Sequence, residues 1–226
     1  MLDTHFPRLP GDIGAPATWR VPLVARVVPG ALPRAVVASA QVLREGGLVP
    51  RFVDAARALE ADGVQAIVTS CGFLVLLQRE LQAAVGVPLV TSALCALPRL
   101  LDAAPQVAVL TADARHLGAE HLAAAGVPAA RHADVQIEGM PPGGEFERAV
   151  LGNATTLDAA RVRDEAVAAA LALRRRCATA RDLVLECTNL PPYAGAIAAA
   201  TGWRVHSLLD WPGLRDWAAP AVEEGP

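Results

Sequence analysis

Residues 68–92 read VTSCGFLVLLQRELQAAVGVPLVTS, and residues 184–208 read VLECTNLPPYAGAIAAATGWRVHSL. In each stretch an apolar run ends in a cysteine, Cys71 or Cys187, and a helical pattern follows. A glycine comes 15 residues after each cysteine, at Gly86 and Gly202, and a second strand pattern then ends in a hydroxyl residue, Thr91 or Ser207. One offset of 116 residues superposes all of these pairs. Strand–helix–strand order is common to every α/β protein, but a cysteine at the same turn in both copies is not. The two halves are therefore read as pseudo-symmetric.

Outward from these stretches, β-branched runs predict strands at 21–28, 66–70, 89–92, 107–111, 133–137, 183–186 and 204–207. Alanine-rich patterns between them predict helices at 50–61, 73–85, 94–103, 114–125, 157–178 and 192–200. This alternation, with nearly continuous apolar strands, indicates parallel sheets covered on both faces. The expected fold is α/β, with two pseudo-symmetric parallel-sheet domains and an active site in the cleft between them. Residues 1–92 with 208–226 would form one domain and 93–207 the other. The MPPGG cluster at 140–144 is the clearest internal break, and the tail at 222–226 is expected to fray.

Composition narrows the chemistry. The 226 residues carry a net charge of −3, with 19% charged and 53% hydrophobic residues, which excludes a basic nucleic-acid footprint. All 20 basic residues are arginine, so neither a lysine Schiff base nor a P-loop lysine is available. No uncharged apolar run approaches the ~20 residues that span a bilayer, and the polar, proline-rich start is unlike a signal peptide. Four cysteines, at 71, 95, 177 and 187, form no CxxC pair. A reduced, soluble, cytoplasmic protein is the expectation.

In open parallel sheets, ligands bind beyond the carboxyl ends of the strands. Cys71 and Cys187 fall at such ends, each before a helix. A helix N-terminus offers free N–H groups and partial positive charge, so a thiol pKa of ~8.5 is expected to fall towards neutrality, and a carboxylate can bind beside it. Facing each other across a cleft, one thiolate could remove a proton next to a carboxylate while the other thiol protonates the opposite face. The result is inversion at that carbon without a cofactor. Read alone, either cysteine could be a small residue at a tight turn; Cys95 and Cys177, within helical patterns, are read as core.

TSCGF (69–73), VLT (109–111), ECTNLPPY (186–193) and the opening MLDT together resemble the aspartate/glutamate racemase superfamily, the cofactor-independent two-cysteine group. The resemblance spans most of the chain, and Cys-Thr-Asn after an apolar strand is its most specific part. It implies two similar α/β domains, no cofactor, and Cys71 and Cys187 as the acid/base pair. It further implies Asp3 as helper of the first cysteine. Thr4, Ser70, Gly72, Phe73, Thr111, Thr188 and Asn189 would be substrate contacts, with Thr188 binding a carboxylate. The substrate class is then a small carboxylate or amino acid, and the activity an isomerase that inverts an α-carbon.

Departures from the pattern matter too. Gly72-Phe73 stands where glutamate racemases have Asn-Thr, and Asn189 where they have His and aspartate racemases have Glu, which argues against both substrates. Phe73 suits either a more apolar substrate or core packing. Maleate-type isomerisation, decarboxylation in the same pocket and a non-catalytic acid-binding protein remain alternatives. Only Met1 and Leu2 precede Asp3, so the first strand is expected to be a stub or to have begun upstream.

The PGDIGAP loop (10–16) is read as a turn or a cover for the cleft, with Asp12 as a second helper candidate. His116 and His121, five apart, do not share a helical face, and no metal site is expected. Arg174–Arg176 suit a helix C-terminus. Trp203, Trp211 and Trp217 are read as packing or a homodimer interface.

Overall fold

A computed structural model describes residues 1–38 and 40–219 of the chain. Six strands form two parallel sheets. Strands β1 (Ile67–Val68) and β2 (Leu89–Val90) make a two-stranded sheet. Strands β3 (Val107–Thr111), β4 (Val135–Gly139), β5 (Asp182–Leu185) and β6 (Arg204–His206) make a four-stranded sheet in the order β4-β3-β5-β6. All five residues of β3 and all four of β5 are buried, as apolar strands covered on both faces require.

The repeat read from sequence is present as strand register. Ile67 pairs with Leu89 and Val68 with Val90; Leu183 pairs with Val205 and Val184 with His206. Every residue of the first set lies 116 positions before its counterpart in the second. The following turns are both capped by serine, one position out of that register: the Ser92 hydroxyl accepts from the Leu94 N–H and the Ser207 hydroxyl from the Leu209 N–H. The parallel-sheet α/β class is as expected, and we propose the same division into two domains. Residues 220–226 of that division, including the tail expected to fray, lie outside the described residues.

Among the described residues there are eight α-helices: α1 (Pro33–Ala38), α2 (Ala40–Glu45), α3 (Leu48–Ala61), α4 (Gln78–Ala83), α5 (Leu97–Ala103), α6 (Ala119–Ala124), α7 (Ala159–Arg176) and α8 (Ala194–Thr201). Three of the expected helices begin with a 3-10 turn, at Gly72–Leu77, Ala93–Ala96 and Pro191–Tyr193. The Asp158 carboxylate caps α7 by accepting from the Arg161 N–H, and Arg174, Arg175 and Arg176 occupy its last turn. No helix among the described residues is long and apolar enough to cross a membrane.

The strand expected at 21–28 does not form. Val21, Val24 and Val27 are exposed, and prolines at 22 and 29 remove two ladder donors. The hydrogen bonds of 26–31 go to the chain start instead. The Met1 ammonium donates to the Arg26 carbonyl (2.6 Å), the Val28 N–H to Met1 (2.9 Å) and the Asp3 N–H to Ala31 (3.0 Å). Between this segment and β1 lies a cavity of about 330 Å³, bordered by Val24, Val64, Ile67, Ser70 and Trp217.

Asp182, at the start of β5, ties the larger sheet to its edge strand. It accepts from Arg204 Nε (2.8 Å) and Nη2 (2.7 Å), and its Oδ1 lies 2.7 Å from His206 Nε2. The Arg204 bonds, more than burial opposes, hold its pKa below the usual carboxylate value. A depressed folded-state pKa adds stability above the unfolded-state pKa, and that stability disappears as pH falls through the acid range. Asp182→Asn is expected to cost about 1–3 kcal/mol at pH 7. That lowers Tm by roughly 2–4 °C per kcal/mol in a domain of this size, and the gap from wild type should close in thermal melts below pH 3.

Candidate active site

Two strand ends carry the site. Cys71 follows β1 in extended conformation and immediately precedes the 3-10 turn at Gly72–Leu77. Cys187 follows β5 after one residue, Glu186. Each cysteine is only 7% exposed. Charge on Cys71 raises the pKa of Cys187. The turn that carries Cys71 packs on the residue before Cys187, since Gly72 lies against Glu186.

Close packing of backbone on backbone brings the strand ends together. A methyl group at Gly72 would collide with the main-chain oxygen of Glu186 and with its carboxyl group. Only a residue without Cβ lets the first cysteine turn lie on the second. Gly72 therefore has a positional role in the junction, one that its place in the TSCGF motif marks without explaining.

Glu186 is the site residue that sequence reasoning missed. It is 1% exposed, its Oε2 accepts from the Thr111 hydroxyl (2.7 Å), and the Ala112 N–H also bonds the carboxyl. Its Oε1 is buried with no partner. Burial raises its pKa to about 7, against the Thr111 and Ala112 bonds, which lower it. The signal was present in ECTN: an acid inside an otherwise apolar strand end is uncommon unless satisfied or used.

The thiol pKa values run opposite to expectation. Burial foremost, and the Glu186 charge next, push Cys71 up to about 12, although the Phe73 and Leu74 N–H groups lower it. Cys187 is raised well above the ordinary thiol value, again by burial first and Glu186 second. Desolvation outweighs the backbone N–H groups, so both thiols hold their protons at neutral pH.

Around Cys187 runs a polar chain. Its Sγ donates to Asn189 Oδ1 (3.5 Å), and Asn189 Nδ2 donates to Asp12 Oδ2 (2.5 Å). Asp12, 3% exposed, accepts at Oδ1 from the Gly14 N–H and from Arg8 Nη1 (both 2.7 Å), and Arg8 Nη2 donates to Thr4 Oγ1 (2.8 Å). The PGDIGAP loop thus covers the Cys187 side, with Gly11 at φ 97° pressed on the Pro192 backbone.

The other expected contacts divide. Thr188 lies beside Cys187 with a buried hydroxyl lacking a partner, a free group for an anionic ligand. Thr111 is engaged by Glu186. The Asp3 carboxylate accepts from the Gly30 N–H (3.1 Å), while Asp12 accepts from Asn189, whose Oδ1 faces the Cys187 thiol. Ser70 accepts from the Leu2 N–H (2.9 Å). Phe73 packs edge-on to His121, with ring centroids 5.2 Å apart and 1% exposure, so it belongs to the core. Cys177 ends α7 in the core, and Cys95 lies half-buried beside Gln78. Among the described residues no three His, Cys, Asp or Glu side chains cluster as a metal site would require.

Known structures share this arrangement of elements. A liganded double mutant of arylmalonate decarboxylase superposes with a TM-score of 0.61 at 16% identity, covering 96% of this chain and 94% of that one. The chain has the fold of arylmalonate decarboxylase. A second arylmalonate decarboxylase structure gives a TM-score of 0.53 at 15% identity over 88% of this chain and 84% of the other. By sequence, the chain is 29% identical to a dimethylsulfoniopropionate lyase of Durusdinium sp. clade D, over 97% of this chain and 77% of that protein. It is 30% identical to dimethylsulfoniopropionate lyase 3 of Emiliania huxleyi, over 96% of this chain. The chain spans about three-fifths of the length of that second relative. No family model matches.

Gly72→Ala tests the junction. It forces Cβ into Glu186, and overpacking of that kind costs about 1–3 kcal/mol. A thermal melt should show the corresponding drop; an unchanged Tm would mean that the two cysteine turns do not pack as described.

Proposed function

We propose that the chain is a cofactor-independent lyase that cleaves dimethylsulfoniopropionate, or a close β-onium carboxylate, by thiol-assisted elimination. The observation that carries this reading is similarity over 97% of the chain to a protein named for that activity, together with two buried thiols on strand-end turns that pack on one another. The fold alone would equally suit racemisation or decarboxylation.

The chemistry needs one base. A thiolate from Cys71 or Cys187 takes a proton from the carbon next to the carboxylate. The C–H electron pair becomes the new C=C bond, and the C–S bond breaks with its pair going to sulfur. Acrylate and dimethyl sulfide leave, and the thiol carries the proton until solvent removes it. The unpartnered Thr188 hydroxyl is suited to hold the substrate carboxylate, and the Asp12–Asn189 chain orients Cys187. These assignments give Cys71, Cys187, Thr188 and Asn189 roles in the reaction and leave Phe73 as packing.

The repeat-related thiols favour a second reading, racemisation of a small carboxylate, because inversion uses a base on each face. The two reactions differ in how they respond to loss of one thiol. Incubated with dimethylsulfoniopropionate, the wild type is expected to release dimethyl sulfide, measured in headspace gas. Replacing the base thiol by serine should cost at least about 100-fold, with the other Cys→Ser variant losing much less. A racemase would release none; it would exchange solvent deuterium into the α-position of its substrate and lose that exchange in both variants.

A further inference from the structure

We propose that Glu186 is a positioning residue whose protonation state controls when Cys71 and Cys187 can ionise. The inference goes beyond the lyase reading and applies to any reaction the two thiols perform. Geometry carries it. Glu186 directly precedes Cys187 and lies against Gly72, the residue after Cys71, so one carboxyl stands at the junction of both thiol-bearing turns. One oxygen is fixed by the Thr111 hydroxyl from the end of β3, while the other is buried and bonded to nothing. A buried anion with a vacant acceptor is costly, whereas a protonated carboxyl loses that cost and gains a donor.

The groups around it are few. The Cys71 turn contributes its thiol and the Gly72 backbone, and the end of β3 contributes the Thr111 hydroxyl and the Ala112 N–H. Its own strand contributes Cys187 and the free Thr188 hydroxyl. Beyond Cys187, the charge of Asp12 also bears on that thiol but is paired with Arg8, and Asp113 is turned to Arg115 and His116. Neither hydrogen-bond partner of Glu186 is a cation; the Thr111 and Ala112 donors favour its ionised form, but burial outweighs them. Its negative charge raises the pKa of both thiols. The sign follows: with Glu186 ionised each thiolate is suppressed, and with Glu186 protonated each becomes easier to form. A carboxyl that keeps its proton near neutral pH lets one buried thiol ionise without placing two anions side by side.

Glu186→Gln removes the charge and keeps the shape. With iodoacetamide as probe and peptide mass spectrometry to resolve the sites, Cys71 and Cys187 should react in the variant with midpoints about one pH unit lower, roughly tenfold faster at a fixed pH below both midpoints. Cys95 and Cys177 should keep their wild-type profiles. Unchanged midpoints at Cys71 and Cys187 would overturn the proposal, as would an equal rise at all four cysteines, which reports loosening. In the wild type, the Glu186 carboxyl carbon, labelled with carbon-13, should titrate near neutral pH; titration in the ordinary carboxylate range overturns the proposal even if the variant does not fold. Because the readouts use no substrate, their failure is separate from failure to release dimethyl sulfide.

Discussion

The site depends on one contact, the seating of Gly72 on the main chain and carboxyl of Glu186. It joins the end of the smaller sheet to the end of the larger one and brings two cysteines, far apart in sequence, to a common region. Everything chemical about the region follows from that closeness. Burial makes the thiols and the carboxyl favour their neutral forms, and the Glu186 charge raises the pKa of both thiols. A residue with a side chain at position 72 would separate the two halves of the site.

The larger sheet and the repeat were legible from sequence because their signals are local and strong. Residues 107–111 are apolar throughout and form β3 at the expected limits. The shared spacing from cysteine to glycine to hydroxyl reappears as identical register in two strand pairs. The segment 21–28 failed for a reason its valines conceal: its prolines remove ladder donors, and its neighbours bond to Met1 and Asp3 rather than to a strand. Tertiary context overrode propensity there.

The site was legible in part. Cys71 could be named from TSCGF, and Cys187, Thr188 and Asn189 from ECTN, two short motifs at strand ends. Asp12 could be noted but not preferred over Asp3, since a contact between a loop near the chain start and Asn189 leaves no mark in local pattern. Glu186 was passed over as a strand residue: its importance arises only when burial and the Thr111 hydroxyl are seen together. For Phe73 the sequence left ligand contact and core packing both open, and its ring turns inward to His121.

The shared enclosure of Cys71 and Cys187 is the claim on which the rest stands, and chemical bridging measures it directly. Treated with a three-carbon bis-electrophile at alkaline pH and digested, the native protein should yield one linked peptide pair joining Cys71 to Cys187. Separate single adducts at the two cysteines, or bridges to Cys95 or Cys177 in their place, would contradict the account.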